Sequence, residues 1–317
     1  MSTIKDVVIA ITYRCNSRCR MCNIWQIKEH NNEFKSEYLF NLPKSVRDVN
    51  ISGGEPFLRA DIFDVIRNIT ERCPEANIII STNGFATQLI LEKTKELLKI
   101  KKDLGVAISI DGMSQVHNQV RGIEGGFDKA MATLKGLREL GVKSLKLSFT
   151  LADYNSDELP KVYELADNLG AELSLTIIHS SENFFNADNK IADSSKMIQM
   201  LDWLIAKELR KDNLKNWARA YFAYGAKRFI QTGKRILPDY SGESNIFIDP
   251  QGAIYPCDIS SQKIGDLKNE QIVTEKADRS CAQSWMVCTA RQAIKKHWIK
   301  VGLWIVINRM KLILKKA

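Results

Sequence analysis

The sequence predicts an α/β protein: a partial (β/α)6 barrel of parallel strands, then a helical segment and a small cysteine-bearing β-hairpin and helix module. Three observations carry this. Short strand-like runs alternate with amphipathic helical stretches as far as residue 178, the pattern of right-handed βαβ units. Polar, glycine-containing clusters follow several strands, at the rim where α/β folds gather functional groups. Beyond residue 180 the alternation stops. The strand count is about six, short of the eight in a closed barrel.

Residues 7–12 (VVIAIT) read as the first strand, followed by Val49–Ser52, Asn77–Ser81, Val106–Ile110, Leu145–Thr150 and Glu172–Ile178. Helical patterns lie between most of them, at Ile62–Arg72, Thr87–Lys99, Phe127–Leu140 and Glu158–Leu169. Gly141 and Gly170 stand where helices should stop. "SSENFFNADNK" is a polar loop, and Ser194–Leu209 and Leu214–Ile230 read as further helices. "NIFIDPQGAIYPCDI" predicts a hairpin turning at Pro250–Gly252. The organisation expected is a barrel over 1–180, a helical connector over 181–245, the cysteine-bearing module over 246–290 and a basic amphipathic helix over 291–317.

The net charge of +9 is local: no acidic residue follows Asp278, whereas nine lysines and arginines do. The remainder is balanced, so a nucleic-acid-binding surface is not expected. In the tail, Ile299, Leu303, Val306, Met310 and Ile313 recur at helical spacing, and the unbroken apolar run is too short to span a bilayer. Two readings stay open: a helix docked on the barrel or another subunit, and an interfacial helix on an anionic membrane, with Trp285, Trp298 and Trp304 at headgroup depth. The first residues carry no secretory signal pattern, so a cytoplasmic location is expected, peripheral at the inner membrane face if the tail binds lipid. Seven cysteines in such a chain point to metal or cluster ligation rather than a disulfide framework.

Chemistry concentrates in "TYRCNSRCRMCNIW", where Cys15, Cys19 and Cys22 form C-x3-C-x2-C. Three thiolates suit three irons of a cubane and leave the fourth iron open. The competing reading is a zinc knuckle with a remote fourth ligand such as His30. Arg18 and Arg20, between the cysteines, are expected to lower the thiol pKa values. "ISGGEP" closes the second strand: Gly53 and Gly54 permit close backbone approach to a ligand, and Glu55 is placed to accept from an ammonium group. "STNG" and "SIDG" close the next two strands.

Together these motifs resemble the radical S-adenosylmethionine (radical SAM) superfamily, over roughly residues 5–180 and on through the second cysteine group. The resemblance implies a [4Fe–4S] cluster on Cys15, Cys19 and Cys22, with SAM held near Met21, Gly53, Gly54, Glu55, Pro56, Asn83, Ser109, Asp111 and Arg121. Arg121, in the "HNQVRG" loop after the fourth strand, is expected to hold the methionine carboxylate. "LSLTIIHS" is a candidate apolar adenine motif. The implied activity is reductive cleavage of SAM to a 5′-deoxyadenosyl radical, which abstracts hydrogen from a substrate. The electron comes from an external donor of flavodoxin or ferredoxin type.

Cys257, Cys281 and Cys288 resemble a shortened SPASM or twitch module, implying an auxiliary [4Fe–4S] cluster whose missing ligand is Ser284, a remote residue or substrate; the alternative is a lost cluster, its cysteines left in a small hairpin core. Cys73 reads as a plain buried thiol. The residues name no substrate: a peptide, sugar, lipid-linked compound or small molecule all remain, as peptide maturation or as carbohydrate and lipid modification at the cell envelope. The non-enzymatic alternative is an iron–sulfur electron carrier or redox sensor, for which the "GGEP" and "SIDG" clusters have no use.

Overall fold

The computed structural model describes residues 4–28, 32–181, 183, 188–269, 271–272 and 279–314. Six parallel strands come first: β1 (Asp6–Thr12), β2 (Asp48–Gly53), β3 (Asn77–Thr82), β4 (Gly105–Ser109), β5 (Ser144–Leu151) and β6 (Glu172–Ile177). They pair in chain order. The connecting helices are α1 (Ile62–Arg72), α2 (Thr87–Ile100), α3 (Ser114–Arg121), α4 (Gly126–Glu139) and α5 (Leu159–Asn168). The αL conformations of Gly141 and Gly170 follow α4 and α5, as the sequence predicts. The "HNQVRG" segment departs from the expected loop. It is the body of α3, capped by Gly122 in the αL conformation.

Period-2 alternation along the strands separates two environments. In β5, Leu145, Leu147, Phe149 and Leu151 are buried in the core, whereas Lys146, Ser148 and Thr150 line a cavity inside the barrel. In β6, Leu173, Leu175 and Ile177 face the core, and Ser174 and Thr176 the cavity. The α1 stripe Ile62, Val65, Ile66 and Ile69 is buried in the same core, each side chain worth about 1.5–3 kcal/mol.

Helices α6 (Ser195–Arg210) and α7 (Leu214–Thr232) pack on each other beyond the barrel. The hairpin follows as β7 (Asn245–Ile248) and β8 (Ala253–Tyr255), with Gly252 at positive φ in its turn. Strand β7 pairs in parallel with β1, extending the sheet to seven parallel strands. Strands β8, β9 (Gly265–Asp266) and β10 (Gln271–Ile272) complete an antiparallel edge. The order is β10-β9-β8-β7-β1-β2-β3-β4-β5-β6, and the sheet does not close. The cysteine-bearing segment is thus hydrogen-bonded to the barrel's first strand.

The short α8 (Arg279–Ala282) precedes α9 (Val287–Lys296) and α10 (Trp298–Leu314). The expected single tail helix is two, separated at His297. Trp285 lies against α7, where a Cβ on Gly225 would come 2.2 Å from its ring, and its Nε1 donates to the Phe222 carbonyl at 2.9 Å. It is buried in the protein and does not reach headgroup depth. Among the described residues, no helix is long and apolar enough to cross a membrane. Cys73 is buried, as expected.

Candidate active site

The cysteine loop leaves the end of β1 and is stitched to two neighbours through its backbone. On one side the amides of Arg18 and Arg20 donate to the Arg121 and Val120 carbonyls at 3.0 and 2.8 Å, using acceptors left open at the end of α3. On the other, Gly54 and Glu55 donate to Thr12 and Arg14 at 2.7 and 2.8 Å. This explains the two glycines differently from the expectation. A Cβ on Gly53 or Gly54 would fall 2.2 Å from the Thr12 or Arg14 carbonyl oxygen, respectively. The glycines let the end of β2 lie against the cysteine loop itself.

Cys15, Cys19 and Cys22 all line one cavity of about 370 Å³. The Cys19 sulfur lies 3.0 Å from Ser17 Oγ and accepts from an Arg121 Nη at 3.5 Å. Burial pushes Cys15 up to about 12 and Cys22 up to about 11, opposite to the lowering expected from Arg18 and Arg20. Those guanidinium groups sit over aromatic rings, Arg18 over Trp25 at 5.8 Å and Arg20 over Tyr154 at 4.2 Å. The cation beside a thiol is Arg121, brought from α3.

Met21, Gly53, Gly54, Asn83, Ser109 and Arg121 line the same cavity as the thiols. Glu55, Pro56 and Asp111 do not: they are buried behind its wall. Glu55 accepts from the Asn83 amide at 2.8 Å, from Thr82 Oγ1 at 2.9 Å and from the Phe57 amide at 3.3 Å. Burial pushes its carboxyl up to about 7 against those hydrogen bonds. Its observed work is to tie "GGEP" to "STNG". Asp111 accepts from the Thr150 amide at 2.8 Å and forms an ion pair with Arg121 Nε at 2.6 Å. Asn83 in turn donates to Asn16 at 2.7 Å, inside the cysteine loop.

The cavity runs on past the rim motifs along the barrel interior. Ser52, Ser81, Ser148, Thr150, Ser174 and Thr176 give it small hydroxyl side chains. These positions alternate with core residues along their strands, a period-2 signal present in the sequence that marks the cavity-facing side. Deeper or lateral groups also come from distant segments: His179 after β6, Asp258 after the hairpin, and Cys288 and Arg291 on α9. His179 Nε2 is 3.7 Å from Asp258 Oδ2, and although burial lowers its pKa, the Asp258 contact leaves it raised. "LSLTIIHS" thus supplies Ile178 and His179 to the cavity wall.

The second cysteine group is corrected by the structure. Cys257 and Cys281 form a disulfide, their Cα atoms 6.1 Å apart, within the ordinary range for such a bond. Two of the three sulfurs proposed for an auxiliary cluster are therefore spent on each other, and only Cys288 is free. Ser284 is no substitute ligand, since its hydroxyl donates to the Cys281 carbonyl at 3.1 Å and is buried. The donor set does not fit an auxiliary cluster.

The first set fits a cubane better. Three sulfurs lie on one loop and face one cavity, with a guanidinium against one of them. Among the described residues no three His, Cys, Asp or Glu side chains converge closely enough to hold a single ion. A cubane instead takes one sulfur for each of three irons. His30, the remote ligand of the zinc reading, lies outside the described residues.

The chain is similar to known proteins in sequence and in fold. The family model described as "Radical SAM superfamily" matches residues 9–166. The chain is 27% identical over 289 residues to pre-heme d1 synthase of Dinoroseobacter shibae, covering 80% of this chain and 68% of that protein. It is 29% identical over 204 residues to the mycofactocin maturase MftC of Mycolicibacterium smegmatis, covering 62% of this chain and 50% of the relative. Crystal structures of Streptococcus suis SuiB, bound to S-adenosylmethionine or to the precursor peptide SuiA, share the fold. Each has a TM-score of 0.62 at 16% identity, covering 86% of this chain and 65% or 64% of SuiB. The chain belongs to the radical SAM superfamily of enzymes.

Proposed function

We propose that this protein cleaves SAM reductively at one [4Fe–4S] cluster on Cys15, Cys19 and Cys22 and functionalises a substrate held in the polar barrel interior. The observation that carries the reading is the shared cavity. Three thiols, the glycine edge of β2, Asn83, Ser109 and Arg121 open onto the same space as the hydroxyl-lined lumen. When bound, the cluster and SAM supply one-electron chemistry that ends in hydrogen abstraction from carbon. The chain's own contribution is position and exclusion of water. Arg121 offers a cation at the cavity wall, anchored by Asp111. Met21 and Ile178 offer apolar contacts. Glu55 acts from behind, holding the Asn83 backbone in place.

A peptide is the substrate class we favour. Its support is the naming of relatives as maturases and the SuiB structure with its precursor peptide. A lipid-linked substrate is the second reading, favoured by the exposed apolar face of α10. An external flavodoxin or ferredoxin completes the proposed system. The test is release of 5′-deoxyadenosine and methionine from SAM by the anaerobically reconstituted, reduced chain. A protein that holds its cluster yet releases neither is an electron carrier or sensor, and the proposal fails.

A further inference from the structure

Helix α10 docks by one face and leaves a second apolar face uncovered. Val301 and Ile305 are buried, and Trp304 stacks on Tyr224 of α7 at 4.8 Å between ring centroids. The opposite stripe, Ile299, Leu303, Val306, Met310, Ile313 and Leu314, is 56–72% exposed. These include the five positions whose periodicity left docking and membrane binding both open, and the structure turns them to solvent. Trp298, at the first turn, is 69% exposed, whereas Trp304 is engaged with the protein. A stripe running along a 17-residue helix, about 25 Å long, exceeds the scatter of single apolar residues normal on a surface.

We propose that this face lies in the interfacial layer of an anionic phospholipid bilayer. Charge selects this occupant. At 100° per residue, Lys300 and Lys311 border one side of the stripe and Arg309 the other. No acidic residue follows Asp278 in the sequence, so the segment offers an anionic surface no repulsion. Among the described residues, Asp212 is the acid paired with the helix, through Arg309. The helix is too short to span, so it lies in the plane of the interface with Trp298 near the headgroups. The inference is independent of the proposed chemistry, because binding to lipid requires neither cluster nor SAM.

The test is co-sedimentation of the full-length chain with phosphatidylcholine vesicles, with and without phosphatidylglycerol. Binding should require the anionic lipid and weaken as salt rises. Lys300→Gln with Lys311→Gln should reduce partitioning about thirtyfold. Leu303→Glu with Met310→Glu should abolish it while leaving the unfolding temperature and helix content unchanged, since both side chains are exposed. Failure to bind anionic vesicles overturns the proposal, as does equal binding by the Glu variant. A dimer in vesicle-free solution that the Glu variant dissolves, without lipid binding by the wild type, would assign the face to a second copy and also overturn it.

Discussion

Arg291 on α9 pairs with Asp6 on the first strand, Nε to Oδ2 at 2.8 Å, across 285 residues of sequence. Gln292 adds a hydrogen bond to the same oxygen at 3.2 Å. Asp6 is fully buried, so this contact holds a tail helix over the barrel at the cost of a carboxylate removed from water. Asp48 on β2 joins the cluster through Lys295 at 3.0 Å.

Replacing Arg291 with Gln should cost about 3 kcal/mol at neutral pH, the low end for a broken buried pair because Arg291 is 32% exposed. Burial holds the Asp6 carboxyl above its ordinary value despite Arg291. The folded chain therefore keeps that proton more tightly than the unfolded chain, and stability falls as pH rises through the folded value. Without Arg291 the folded value rises further. Urea melts should show the variant's deficit growing from acidic to neutral pH; a pH-independent deficit would count against the pair.

Replacing any one of Cys15, Cys19 and Cys22 with Ala should remove about four irons from the reconstituted chain, one cubane. Iron analysis and the visible charge-transfer absorption check it. A triple variant that still cleaves SAM would refute the ligand assignment.

Gly54→Ala should damage the cluster site without touching a ligand. Its Cβ would collide with the Arg14 backbone oxygen at 2.2 Å, which cannot yield unless the cysteine loop moves. Iron incorporation should fall severalfold. Gly302→Ala offers the contrast: nothing lies within 4 Å of a Cβ there. It should be neutral or stabilise by up to about 1 kcal/mol as a glycine leaves a helix interior. Comparable losses in both variants would dismiss the steric account.

The disulfide predicts thiol counts. Alkylation of the unfolded apo chain without reductant should label five cysteines, and seven after reduction. Careful reconstitution should give about four irons, counted as one cubane. About eight irons, with Cys257 and Cys281 protected from alkylation, would restore an auxiliary cluster and overturn the correction.

Strand order, most of the helices, the glycine stops, the hairpin turn and the cysteine triad were legible in the sequence because each is set locally. Period, αL glycines and ligand spacing act within a few residues. Long-range pairing was not. The sequence showed "GGEP" and "STNG" as separate clusters; only the fold spent Glu55 on Thr82 and Asn83 and used the two glycines against the cysteine loop. It likewise replaced Arg18 and Arg20 by Arg121 beside Cys19, joined Cys257 to Cys281, and paired β7 with β1. The tail shows the same division. Its periodicity established an apolar stripe in the sequence, but which of two apolar faces met the protein depended on the surfaces of α6 and α7. Burial and partner choice are decided where distant segments meet, and that meeting is a property of the folded chain.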